Sequence, residues 1–136
     1  MKKTSLLALM LWASLMVFGG KTWKKSLTCK AEKIDLVFDV YEESILVPGM
    51  EMFGPMNGYM AGDIYGVWYV TGFDIQSDKK VILKVANDLG SENQKMLLTQ
   101  QSDSTWLLQF QGHQVVKRVK GKKLVKIPSE MLFSAQ

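Results

Sequence analysis

From Gly66 to Ile127 the chain is a succession of short apolar runs of strand length, each ended by turn residues, with no helical stripe long enough to compete. An extended backbone sends successive side chains to opposite faces. Val67, Tyr69, Thr71, Phe73 and Ile75 therefore fall on one face, with Trp68, Val70, Gly72 and Asp74 on the other. Past a turn at Ser77-Asp78, Val81, Leu83 and Val85 interleave with Ile82, Lys84 and Ala86. A loop over 87–93, a strand over 95–100 and a turn over 102–104 lead to Trp106, Leu108 and Phe110 on one face of the next run. Gly112-His113 fits a two-residue type II′ hairpin. It predicts a strand over 115–119, a turn over 120–122 and a strand over 124–127, closed by Pro128.

Upstream, Ile34, Leu36, Phe38 and Val40 recur at every second position and predict a strand over 30–41. Glu42-Glu43-Ser44 makes a polar turn, and Ile45-Leu46-Val47 reads as a short strand stopped by Pro48-Gly49. The whole predicts an all-β fold: one antiparallel meander of about eight strands, as a barrel or a two-layer sandwich. A chain of 136 residues with 47% hydrophobic side chains suits one domain and excludes a disordered class.

The first residues belong to another class. MKK precedes an uncharged, mostly apolar run of 14 residues, Ser5 to Phe18. That is the length of a secretory hydrophobic region and short of the roughly 20 residues that span a bilayer. Residues 1–19 are expected to be a helical signal peptide cut after Gly19, with an uncleaved anchor as the alternative. Residues 20–30 read as a basic tether, and 31–136 as the β domain. The protein is then exported, to the periplasm or beyond. Cys29 is the only cysteine, so no intrachain disulfide forms.

Charge is unevenly placed along the chain. Residues 30–78 hold nine acids against Lys30 and Lys33, whereas residues 79–136 hold ten bases against four acids. Opposite halves of this kind attract each other within one fold, or each faces a partner of opposite sign. Lys117, Arg118, Lys120, Lys122, Lys123 and Lys126 cluster around a predicted hairpin tip. Lysines there guard strand edges against pairing. Contact with anionic lipid, glycan phosphate or an acidic protein is the functional alternative, so membrane contact is expected only from the signal segment or this hairpin. Aromatics at stacking spacing are missing from the cluster, and nucleic acid is not expected as a partner.

Residues 48–69 depart most from regular patterning, with Gly at 49, 54, 58, 62 and 66 and Pro at 48 and 55. Such density calls for bends, bulges or a closely approached backbone. Met52, Phe53, Tyr59, Tyr65, Trp68 and Tyr69 lie in or beside it and form the candidate ligand-binding set, for a small molecule, a glycan or an envelope protein. Met50, Met52, Met56 and Met60 offer soft thioether sulfurs that suit Cu(I), against the plain reading that Met fills irregular gaps. The triplet Gly66-Val67-Trp68 resembles the Gly-x-Trp that opens the first strand of lipocalin-like barrels. That resemblance implies a barrel with an interior apolar site, whereas burial alone would have Trp68 plug the end of the core.

The sequence holds one histidine and no zinc spacing, phosphate loop or dinucleotide fingerprint, so neither enzyme chemistry nor a cofactor is expected. The leading expectation is an exported, non-catalytic β domain that recognises a ligand or protein through 48–69. An envelope structural or assembly subunit is the alternative, and a periplasmic Cu(I) protein the third.

Overall fold

A computed structural model describes residues 22–89 and 92–136; the expected signal segment lies outside the described residues. Among the described residues ten strands run in chain order: β1 Lys24–Cys29, β2 Ile34–Asp39, β3 Gly58–Gly62, β4 Trp68–Ile75, β5 Lys80–Asn87, β6 Asn93–Gln100, β7 Thr105–Gln111, β8 Lys117–Lys120, β9 Lys123–Lys126 and β10 Glu130–Ala135. Eight of them close an antiparallel barrel in the order β1-β10-β7-β6-β5-β4-β3-β2, and β8-β9 stands apart as a two-stranded sheet. The fold is therefore a barrel and not a sandwich.

Alternation fills the interior. Leu27, Ile34, Leu36, Phe38, Met60, Leu83, Met96, Leu98 and Leu108 are wholly inaccessible and belong to one contiguous cluster with Trp23, Trp68, Trp106 and Phe133. A void large enough for water would leave accessible surface on its lining, and these side chains have none. At one end Trp23 stacks on Phe38, ring centroids 6.4 Å apart, and donates its indole N–H to the Ser77 carbonyl over 3.0 Å. Ile64, Val116 and Ile127 are buried toward the other end. Eight strands leave an interior that side chains can fill, and here they do.

Four expectations are corrected. Residues 24–29, expected in a basic tether, form β1, which pairs with both β2 and β10 and closes the barrel. Its inward row is only Leu27 and Cys29, too short to stand out among lysines and polar residues. Residues 45–47 form no strand, only a single bridge between Ile45 and Met56.

The hairpin expected at Gly112-His113 does not join β7 to β8, because β7 pairs with β10 instead. Lys117–Lys120 offers no buried apolar row, whereas Met131 and Phe133 of β10 do. Finally, the register shifts between Val70 and Gly72, a β-bulge in β4. Trp68 and Val70 point inward before it; after it Phe73 and Ile75, opposite buried Leu83 and Val81, take the inward face.

The glycine density expected to mark close backbone approach does so at β3. A Cβ on Gly58, where φ is +145°, would stand 2.3 Å from the Val37 carbonyl oxygen and 2.6 Å from Phe38 Cα. Glycine lets β3 lie tightly on β2.

Candidate functional site

The β3–β4 junction is the thinnest seam of the barrel. β4 pairs with β5 along its whole length but with β3 only through Tyr59↔Tyr69 and Met60↔Trp68. From Val70 onward its β3-facing edge has no strand partner among the described residues. Phe73 and Ile75, although on the inward face, are consequently 38% and 44% exposed.

Beside this edge stands the β2–β3 loop, residues 40–57, organised by Asp39. That carboxylate is fully buried. It accepts hydrogen bonds from the Tyr41 amide at 2.9 Å, the Glu42 amide at 3.2 Å and the Ser44 hydroxyl at 2.9 Å, with Lys24 Nζ 3.7 Å away. Burial alone would raise its pKa. The hydrogen bonds from Ser44, Tyr41 and Glu42, helped by Lys24, outweigh that and hold it below the ordinary carboxylate value.

Farther along, the loop makes one turn of 3-10 helix at Glu51–Phe53. It leaves a groove against β4 lined by Glu43, Phe53, Pro55, Met56, Asn57, Tyr69, Val70 and Thr71. Phe53 is 68% exposed and Met52 83%. Glu42, Glu43 and Glu51 are the charged side chains of residues 40–57, so the loop is acidic as well as apolar.

The six residues expected to form one site are dispersed. Phe53 and Tyr69 share the groove, with Tyr59 directly across the strand pair from Tyr69. Met52 is on the same loop. Tyr65 is at the opposite end of the barrel, where its amide donates to the Lys117 carbonyl over 2.7 Å. Trp68 is core, 1% exposed, and its indole N–H reaches the Tyr65 carbonyl at 3.2 Å.

The four methionines are split as well: Met60 is sealed inside the barrel while Met52 is almost fully solvated. His113 lines a separate groove with Lys84, Lys95 and Gln111. Among the described residues no three His, Cys, Asp or Glu side chains gather to hold a metal ion.

Gly66-Val67-Trp68 opens the fourth strand of the barrel and not the first, so the triplet has a different place from the one its resemblance implied. Comparison with family models, curated proteins and solved structures finds no match. Among the described residues the inward side chains pack into one buried cluster, and the groove beside Phe53 and Tyr69 is lined from the β2–β3 loop and β4.

Sequence reasoning missed the open β4 edge and the groove residues Glu43, Val70 and Thr71, which lie outside 48–69; Pro55 and Asn57 lie within that segment. Gly72 within an otherwise regular strand was the available signal, since an interior glycine often marks a bulge.

Proposed function

We propose that this chain is an exported, non-catalytic recognition module that binds an extended peptide segment of a partner protein in the groove between β4 and the β2–β3 loop. The observation that carries this reading is the β4 edge from Val70 to Ile75, which among the described residues lacks a strand neighbour on its β3 side. Such an edge offers main-chain donors and acceptors to an added strand, while pockets beside it select alternate side chains. Phe53, Met56 and Tyr69 supply the apolar pocket, and Glu43 favours a basic residue on the incoming segment. Exposed Phe73 and Ile75 extend the apolar surface along the same strand.

Selection from a displayed library of linear peptides tests this. Selected peptides are expected to protect the amides of residues 70–75 from hydrogen exchange and to lose affinity at least about tenfold on Phe53→Ser, roughly the effect of one lost interface anchor. A selection that enriches nothing, or ligands that protect another surface and ignore Phe53→Ser, would refute the reading.

A further inference from the structure

The β8-β9 hairpin has no part in the groove. It lies at the end of the barrel where β5 finishes and β6 begins, whereas the β2–β3 loop is at the other end. Arg118 fixes it there. Its guanidinium pairs with Glu32 Oε1 at 2.9 Å and Asp63 Oδ2 at 3.4 Å, and donates to the Glu32 and Asp63 carbonyls, both at 3.2 Å. The attraction between acidic and basic halves is thus realised at one side chain of the basic cluster. Lys120, Lys122, Lys123 and Lys126 remain exposed, and residues 117–127 include no acid.

The register pairs Val119 with Leu124. Directly paired residues share a face, so these two form an apolar patch next to the Lys120–Lys123 tip. They are 53% and 49% exposed. Leu89, 60% exposed, lies in the adjoining β5–β6 loop, whose flanking Asn87 and Glu92 line one cleft with Leu124. Guarding a strand edge accounts for the lysines but not for a half-exposed apolar cross-strand pair among them.

We infer that the β8-β9 hairpin is a docking surface for an anionic lipid bilayer, with Val119 and Leu124 entering the headgroup boundary while the lysines engage lipid phosphates. Charge complementarity selects this occupant: the hairpin's own charges are all positive, with Glu92 the acid beside Leu124, and a basic hairpin around a small apolar pair suits a surface of opposite sign with an apolar layer beneath it. Lysine stems reach along such a boundary while their ammonium groups stay with the headgroups. Bound in this way, the barrel turns its β2–β3 loop end away from the membrane.

The test is flotation of the chain from Gly20 onward, which retains every described strand, with phosphatidylglycerol/phosphatidylcholine vesicles and with phosphatidylcholine alone. Binding is expected to the anionic vesicles only and to weaken as salt rises. K120E/K122E/K123E is expected to lower it by about tenfold or more. V119S/L124S, with every charge retained, is expected to lower it several-fold, and both variants should keep the wild-type unfolding temperature. Absence of binding to anionic vesicles would overturn the inference. So would unchanged binding by V119S/L124S, which would mean adsorption by charge alone. A dimer in sedimentation that the same substitutions abolish would assign the hairpin to a second copy of the chain and overturn it equally.

Discussion

Asp39 and Asn57 clamp the base of the β2–β3 loop from both sides. The Asp39 amide donates to the Asn57 carbonyl over 2.8 Å, and the Asn57 side-chain amide donates back to the Asp39 carbonyl over 3.0 Å. Seventeen intervening residues, 40–56, are thereby drawn into a lobe whose far side forms the groove. The buried Asp39 carboxylate then fixes how the lobe leaves β2, through Tyr41, Glu42 and Ser44.

This arrangement predicts a pH dependence. Because the folded pKa of Asp39 is depressed below its ordinary value of 3.8, the unfolded chain binds more protons in the interval between the two. Stability from Asp39 is therefore present above the ordinary value and is lost as pH falls through the folded one. Asp39→Asn is expected to cost about 1–3 kcal/mol at neutral pH, through weaker hydrogen bonds to the loop amides. It should also flatten the acid limb of a stability–pH curve measured by denaturant unfolding.

Gly58→Ala tests the contact of β3 with β2. The added methyl would meet main-chain atoms of Val37 and Phe38, which cannot swing aside as a side chain could. A loss of about 2–4 kcal/mol is expected in urea unfolding. Gly49→Ala is the control: φ is +79° there, but no atom lies within 4 Å of the new Cβ. It should cost only about 1–2 kcal/mol, from backbone strain alone.

Trp68 and Phe53, neighbours in the sequence-based site, are expected to part in their energetics. Trp68→Ala removes a side chain that is 1% exposed and should cost about 3–5 kcal/mol. Phe53→Ser changes a side chain that is 68% exposed and should stay within about 0.5 kcal/mol of wild type. Thermal unfolding of the two variants measures this directly.

Arg118→Met should release the hairpin from the barrel rim while leaving the interior intact. The guanidinium is partly buried against Glu32, which would be left without this partner. A stability loss of about 1–2 kcal/mol is expected. Trypsin cleavage within residues 117–126 should accelerate more than cleavage elsewhere, because the local tie and not the core has been cut.

Alternation made much of the barrel wall legible. Ile34, Leu36 and Phe38 are inward as their spacing predicts, as are Val81, Leu83 and Val85, and Trp106 with Leu108. Hydrophobic period reads one strand at a time, and these strands carry enough apolar side chains for the period to show. The candidate site was less legible. Phe53 and Tyr69 line one groove, but Trp68 went to the core and Tyr65 to the far end.

What the residue pattern determined by itself is that the chain is extended and which side of most strands is apolar. Which strands become neighbours was decided only in the closed structure. Lys24–Cys29 carries too few apolar residues to announce itself, yet it pairs with β2 on one side and β10 on the other. The basic run at 117–126 looked like the next strand of the meander, but β7 took β10, which brings Met131 and Phe133 into the interior. A barrel must satisfy two edges at once, and that requirement lies in no single segment. The open stretch of β4 arises in the same way: a five-residue β3 lies beside an eight-residue β4 whose bulge shifts its phase.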